Sequence, residues 1–175
     1  MLEGFEKVLE VGCGDGFGTR VVGQAVGSVV AVDFDPQFVD SARAVANDRY
    51  RIEFRVHDML KASVLGRFDA IYSLDVLEHI PKVRERKFLR NLVSSIAPNG
   101  VCIIGMPSLE SQAYASKFSK LGHVNCKSQV AFKQLMKRFF TNVFMFSMND
   151  EVVHTGYGKM AHYNLALCCG PRPAK

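Results

Sequence analysis

The chain has 175 residues, a formal net charge of +5, and a hydrophobic content of 48%. This length is typical of one domain, which buries roughly 70% of the surface that the unfolded chain exposes. Its apolar runs are strand-sized, well below the roughly 20 residues that cross a bilayer. The opening MLEGFEK lacks the basic and apolar regions of a secretory signal, so we expect a cytoplasmic protein.

The cysteines and the basic residues exclude two further classes of protein. The five cysteines are odd in number and no pair has C-x-x-C spacing, so neither a disulfide framework nor a zinc-thiolate site is expected. Basic residues concentrate in 82–90 and 117–138. Apolar residues interleave with them at helical spacing, which favours solvated helix faces over a nucleic-acid surface.

Strand-like and helix-like segments alternate over the first 106 residues. Asp35 is a good N-cap and Pro36 suits a first helical position, while Pro98-Asn99-Gly100 should end the third helix. The alternation predicts βαβ crossovers and a parallel sheet that is covered on both faces. The predicted strands are 8–11, 28–33, 52–57, 68–74 and 101–106, and the predicted helices are 17–25, 36–47 and 84–97.

The pattern changes after the fifth strand. Residues 107–125 are polar and predict a loop with a short helix, and 128–139 predict an amphipathic helix capped by Ser128. Two late strands, 142–147 and 163–169, have no helix between them. They therefore predict an antiparallel edge on the parallel sheet.

The first strand runs into glycines at positions 12, 14, 16 and 18. Glycine lets the backbone approach a ligand closely, and a helix that begins after the loop aims unpaired N–H groups at that ligand. The alternating glycines differ from the G-x-G-x-x-G dinucleotide fingerprint. Glu10, just before the loop, would repel a pyrophosphate but suits a cationic ligand.

Carboxylates follow three successive predicted strands: Asp33, Asp58 and Asp75. Ligands of open α/β sheets bind outside the carboxyl ends of the strands, so these acids should meet beside the glycine loop. Asp33 lies about 20 residues beyond the first glycines, the spacing at which a carboxylate accepts hydrogen bonds from ribose hydroxyls.

These motifs together resemble class I S-adenosylmethionine-dependent methyltransferases of the small, type-11 or type-23 kind. The similar segments are VLEVGCGDG, AVDFDP, VHDM, FDAIYSLDVLEHI and APNGVCIIGMPS, which cover the first 108 residues in the family's order. The resemblance implies a doubly wound, Rossmann-like seven-stranded α/β sheet, mostly parallel with an antiparallel C-terminal strand. We expect one methyltransferase domain over 1–175, with a cofactor-binding half at 1–106 and the acceptor side at 107–175.

The resemblance also implies which residues bind the cofactor. The first motif starts at Val8, whereas family members commonly carry one or two helices before it, so either a longer natural protein or an open pocket is expected. The implied contacts are Glu10, Gly12, Cys13 and Gly14 for the methionine portion, Asp33 for the ribose, Phe34, Asp58 and Met59 for the adenine, and Leu74 near the sulfonium.

The sulfonium is an activated methyl donor, so the protein chiefly has to align an acceptor with the S–CH3 bond. We expect in-line transfer to a small molecule, at a hydroxyl oxygen. A hydroxyl acceptor needs a base, for which His79, His123 and His154 are the candidates. The expected acceptor regions are 107–127 and 149–160, and their polar candidates are His123, Asn125, Asn149, Asp150, Glu151, His154 and Tyr157.

The same part of the sequence could instead bind a divalent cation. Asp75, Glu78 and His79 share a helical face, and with His123 they could hold such an ion. Similar E-x-x-E-H segments occur in small-RNA 3′-end 2′-O-methyltransferases and in ubiquinone-pathway O-methyltransferases. Here aspartate replaces the first glutamate, no dense histidine cluster follows, and many relatives carry D-V-L-E-H-I without a metal. We therefore expect no metal.

Three other functions remain open at this point. An RNA acceptor would make binding strongly dependent on salt. A binding protein could retain the cofactor pocket without transferring a methyl group. A nicotinamide dehydrogenase would bind NAD in place of S-adenosylhomocysteine.

Overall fold

The computed structural model describes residues 1–47 and 49–172. In this part of the chain eight strands form one sheet of order β3-β2-β1-β4-β5-β8-β6-β7. The strands are β1 Lys7–Val11, β2 Ser28–Asp33, β3 Ile52–Val56, β4 Phe68–Leu74, β5 Ile96–Pro107, β6 Phe140–Asn149, β7 Val152–His154 and β8 Tyr163–Pro171. The α-helices are α1 Phe17–Val22, α2 Pro36–Ala44, α3 Glu85–Ser94, α4 Lys117–Gly122 and α5 Gln129–Met136.

The first five strands are parallel and the last three are antiparallel to their neighbours. β1 lies between β2 and β4, so the strand order reverses beside it. β8 pairs antiparallel with both β5 and β6, and β7 forms a short hairpin with β6. The mostly parallel, doubly wound sheet with antiparallel C-terminal strands is confirmed. The reversal beside β1 is where sheets of this kind bind ligands.

Two details of the sheet differ from the sequence prediction. The sheet has an eighth strand, β7, because Asn149 and Val152 close a tight hairpin in what was expected to be a polar loop. Helix α3 ends at Ser94 and β5 begins at Ile96, so the Pro98-Asn99-Gly100 breaker lies inside the strand and does not end the helix as predicted. The register shifts between the Phe68–Ile96 pair and the Ala70–Val101 pair, so the breaker bulges out of the ladder and does not end the strand.

Both faces of the sheet are covered by apolar side chains. Alternate residues of β1 point to opposite faces, as Leu9 and Val11 belong to one core cluster and Val8 to another. The larger cluster packs helices α3 and α5 against the sheet, with Phe68, Phe88 and Phe132 essentially buried. Smaller clusters form under α1 and α2 on the other face. Because both faces of the parallel strands are buried, their β-branched segments are almost continuously apolar.

The predicted helix caps are present. The Asp35 side chain accepts a hydrogen bond from the Gln37 N–H, and Ser128 accepts one from the Ala131 N–H. α1 and α2 end several residues earlier than predicted, and Gly23 ends the first of them. Over the residues that the structure describes, no helix is both long and apolar enough to cross a membrane.

Candidate active site

A cavity of about 630 Å³ opens at the carboxyl ends of the parallel strands. The structure brings Asp33, Asp58 and Asp75 into its wall, from the ends of β2, β3 and β4. The wall is otherwise largely apolar. It is completed by Val11, Gly12, Gly14, Val32, Phe34, Phe38, His57, Met59, Leu60, Val76, His79, Ile80, Pro81 and Phe88.

The glycine loop forms the floor of this cavity by a close approach of two chain segments. Gly12 has φ +86°, and a Cβ at this position would lie 2.2 Å from Val76 Cγ2. The Gly12 N–H donates to the Val32 carbonyl at 2.8 Å, which ties the loop to β2. Gly14, at φ +52°, has no atom within 4 Å of such a Cβ and faces open space. The loop therefore presents bare backbone to a ligand.

The carboxylate of Asp33 is held by two backbone N–H groups. The Gly14 N–H donates to Oδ2 and the Asp35 N–H donates to Oδ1, each at 3.0 Å. Asp33 is 8% exposed, so the group is oriented before any ligand arrives. Each carboxylate oxygen keeps a further lone pair that can accept a ligand hydroxyl.

The next strand end positions the residues expected around an adenine. Asp58 Oδ1 accepts the Leu60 N–H at 2.8 Å, while the Asn91 side-chain amide donates to the Met59 carbonyl at 2.6 Å. Met59 is buried in the cavity wall, and Phe34 is 74% exposed at the cavity's rim. Two apolar side chains and a fixed carboxylate in one part of the wall can pack against a flat heterocycle and accept a hydrogen bond from it.

Three of the expected cofactor residues do not line the cavity. Glu10 is buried behind the loop, where its carboxylate accepts the Thr19 hydroxyl, and burial raises its pKa to about 7. The Cys13 side chain packs in the core cluster under α2, and burial raises its pKa to about 12. Leu74 lies beside Gly105, next to the wall formed by Asp75 and Val76. A contact from Cys13 to a ligand is therefore limited to its backbone.

Two of the three candidate bases lie together at the cavity. His79 is in the wall, and its ring centroid lies 5.2 Å from that of His123. Glu78 is fully buried beside them, and burial raises its pKa to about 8. Burial and the neighbouring His79 lower the pKa of His123, which favours its neutral form. The insertion after β5 thus carries His123 to the site, 44 residues after His79 in the chain.

His154 is the candidate base that the structure separates from the cavity. It lies on β7, four strand spacings or about 19 Å from β4 along the sheet. Its Nδ1 accepts the Gly156 N–H at 2.9 Å and so closes a local turn. The sequence placed His154 in an acceptor loop, but the position of β7 in the sheet moves that loop away from the cofactor end.

The other acceptor-side candidates mostly have structural partners. Asn125 is buried, and its side chain donates to Glu85 Oε2 at 3.1 Å. Asn149 Oδ1 accepts the His162 N–H at 3.1 Å, and Asp150 has φ +50° in the β6–β7 turn. Neither these residues nor Glu151 and Tyr157 belong to the cavity wall.

Sequence reasoning missed Tyr163, which begins β8 opposite Pro107. Its hydroxyl is buried beside the Asp75 carboxyl, and burial and the charge of Asp75 raise its pKa. A Cβ on Gly105 would lie 2.5 Å from the Tyr163 ring, so this glycine makes room for the ring beside the site. No local pattern signals this contact, because it depends on the register between β5 and β8.

The comparisons with known proteins agree with this architecture. The mitochondrial ubiquinone biosynthesis O-methyltransferase of Schizosaccharomyces pombe is 31% identical over 104 residues, 57% of this chain and 37% of that protein. The corresponding enzyme of Xanthomonas campestris pv. campestris is 29% identical over 112 residues, 62% of this chain and 46% of that protein. The chain thus spans less than half the length of these relatives.

Solved structures share the fold at low sequence identity. The N-methyltransferase NodS from Bradyrhizobium japonicum WM9, in complex with S-adenosyl-L-homocysteine, superposes with a TM-score of 0.71 at 20% identity. The match covers 97% of this chain and 80% of that one. A family model described as a methyltransferase domain matches residues 8–100, more than half of the chain. The resemblance to class I S-adenosylmethionine-dependent methyltransferases is therefore confirmed, and the chain belongs to the methyltransferase-domain family.

Proposed function

We propose that the chain binds S-adenosylmethionine and transfers its methyl group to a hydroxyl oxygen of a small molecule. The observation that carries the proposal is the cavity wall, where the Gly12–Gly14 backbone and the Asp33 and Asp58 carboxylates meet at one sheet edge. Bare N–H groups and carboxylates match the polar groups of an adenosyl sulfonium. The family membership and the O-methyltransferase relatives support the same reaction.

The proposed contacts follow the geometry of the cavity. Asp33 accepts hydrogen bonds from the ribose hydroxyls, Asp58 accepts one from the adenine amino group, and Phe34 and Met59 pack on the purine. The methionine portion lies over the glycine loop, with Glu10 acting from behind it. The sulfonium then points toward Leu74 and Asp75, so the acceptor enters between this strand end and the insertion after β5. Residues 107–172 of the described chain form the acceptor side.

We assign proton removal from the acceptor to the histidines at this end of the cavity. His79 and His123 are close to one another and to the proposed methyl position, whereas His154 is not part of the proposal. The protein's main contribution is alignment, which can supply roughly 7–11 kcal/mol of the barrier. The cytoplasmic location and the absence of a nucleic-acid partner remain predictions of the sequence.

Calorimetric titration of the chain with S-adenosylhomocysteine and with NAD tests the cofactor. We expect saturable binding of the first and none of the second, and the reverse result would refute methyl transfer. A co-crystal with S-adenosylhomocysteine, followed by assays of hydroxylated acceptors that fit the observed space, tests the acceptor. Turnover that falls steeply with added salt would instead indicate an RNA acceptor.

A further inference from the structure

The two edges of the sheet differ in how they are protected against pairing with another strand. β3 forms one edge and carries the charged pair Glu53 and Arg55. β7 forms the other edge but covers only 147–149 of its neighbour β6. Over the residues that the structure describes, no strand pairs with the outer side of 140–146. A free strand edge of this kind is a template for pairing with another chain.

The uncovered part of β6 lacks the features that protect natural edge strands. The strand reads FTNVFMFSMN and contains no charged residue, no proline and no glycine over its ten residues. Phe144 is 53% exposed, whereas Val143 is buried on the opposite face of the sheet. Natural proteins keep open edges apart with charges, proline, bulges or very short strands. A long and uncharged edge therefore indicates that a partner strand covers it.

The pairing of β6 with β8 shows which of its backbone groups face outward. The Arg172 N–H donates to the Phe139 carbonyl at 2.8 Å, and these two residues continue the β6–β8 register. Hydrogen-bonded pairs alternate along an antiparallel ladder, so every second residue from Phe139 onward bonds to β8. The residues between them direct their N–H and C=O groups to the open edge. Among these residues are Asn142, Phe144 and Phe146.

We propose that the outer edge of β6 is a dimer interface, at which it pairs antiparallel with β6 of a second copy of this chain. A two-fold axis at Val143 places Asn142 of each copy directly opposite Phe144 of the other. In this register the outward N–H and C=O groups of the two copies face each other and form hydrogen-bonded pairs. Such an interface uses the same surface on both copies, so it is self-complementary and closes at two chains.

Charged residues at the two ends of β6 favour the antiparallel orientation. Lys137 and Arg138 precede the strand, Asp150 and Glu151 follow it, and all four are exposed. Antiparallel pairing brings the basic end of one copy level with the acidic end of the other, whereas parallel pairing would bring like charges together. β7 keeps these groups about two strand spacings or about 10 Å apart, which is close to one Debye length. The charges therefore select the orientation, and the strand pairing supplies the contact.

The interface leaves the cofactor cavity of each copy open. β5 and β8 lie between β6 and β4, whose end carries Asp75 in the cavity wall. The interface therefore does not rest on the proposed function, and either can hold without the other.

A pair of charge variants tests the interface and its register. Sedimentation equilibrium over a wide range of concentrations should show the unaltered chain reaching twice its mass of 19.5 kDa. Asn142→Lys/Phe144→Lys should stay monomeric, because each introduced lysine lies opposite another and like charges there are destabilising. Asn142→Lys/Phe144→Glu is the matched control and should remain dimeric, because each lysine then lies opposite a glutamate. Both positions are exposed, so we expect both variants to fold.

Three results would overturn the interface: an unaltered chain that is monomeric at every concentration, a dimer that persists with two lysines, or a dimer that is lost equally in both double variants. Thermal unfolding shows whether each variant is folded. If a double variant unfolds, Phe144→Pro decides, because proline removes an outward N–H and leaves the ladder with β8 in place. This variant should be monomeric. Titration with S-adenosylhomocysteine separates the two proposals, since a monomer that binds it contradicts only the interface.

Discussion

At the scale of single residues, the site depends on carboxylates that the backbone holds in different ways. Asp33 is oriented by the N–H groups of Gly14 and Asp35 and faces the cavity. Glu10 is buried behind the loop with the Thr19 hydroxyl as its donor. The first is ready to accept hydrogen bonds from a ligand, and the second carries an electrostatic cost until a cation lies nearby.

Replacing Asp33 by alanine should weaken S-adenosylhomocysteine binding more than tenfold, measured by calorimetry. The reason is that charge-assisted hydrogen bonds to two ribose hydroxyls are lost. Asp40→Ala is the matched control, because this carboxylate is exposed on α2 away from the cavity. Equal dissociation constants for the unaltered chain and Asp33→Ala would contradict the ribose assignment.

The raised pKa of Glu10 predicts how stability depends on pH. Its pKa is about 7 in the folded chain against an ordinary value of 4.5, so the folded chain keeps this proton longer. Between these values the folded state binds more protons than the unfolded state, and stability falls as the pH rises. The shift corresponds to a loss of about 3 kcal/mol by pH 8.

Glu10→Gln removes this contribution because glutamine does not titrate. Urea unfolding of the ligand-free chain at pH 5 and pH 8 should show the variant gaining stability relative to the unaltered chain as the pH rises. A constant difference between the two proteins at both pH values would show that folding does not raise the pKa of Glu10. The same variant should bind S-adenosylhomocysteine more weakly if Glu10 neutralises the amino group of the methionine portion.

At the scale of elements, the insertion after β5 is fastened to helix α3 by a buried ion pair. Lys127 Nζ lies 2.7 Å from Glu85 Oε2, and both side chains are at most 10% exposed. Asn125 bridges the pair, donating to Glu85 and accepting from Lys127, while its backbone N–H donates to the Glu78 carbonyl. This contact holds the segment that carries His123 against the end of β4.

Lys127→Met should destabilise the chain by about 3–5 kcal/mol, because it leaves the Glu85 carboxylate buried without its partner. The double variant Lys127→Met/Glu85→Leu should recover a large part of that loss, since both charges are then absent. Denaturant unfolding of Lys127→Met, of Glu85→Leu and of the double variant forms a double-mutant cycle that measures their coupling. Additive effects would show that the two residues are not coupled.

At the scale of the whole molecule, the cofactor cavity joins segments from the first half of the chain around one sheet edge. A ligand that binds only the folded state stabilises it by about 2.7 kcal/mol at 100 times its dissociation constant. S-adenosylhomocysteine at that excess should raise the melting temperature by roughly 5–10 °C. NAD should leave it unchanged, and added salt should not abolish the effect, as it would for a ligand held mainly by basic residues.

The sequence by itself determined the parallel half of the fold and the cofactor motifs. Strands 28–33 and 68–74 were predicted with their observed bounds, and Asp35 and Ser128 cap helices as expected. These features are local, since strand and helix patterns, helix caps and glycine loops each depend on residues only a few positions apart in the sequence. The sequence also predicted that the carboxylates at successive strand ends meet, because parallel strands bring their carboxyl ends to one edge of the sheet.

Tertiary structure alone decided which side chains meet at the acceptor end. The placement of β8 between β5 and β6 brings Tyr163 to the site and carries His154 on β7 away from it. The insertion folds back so that Gly122 and His123 contact His79, a pairing that no spacing in the sequence indicates. Such contacts depend on the register and order of strands far apart in the chain, which are selected by packing of the whole sheet and not by local preference.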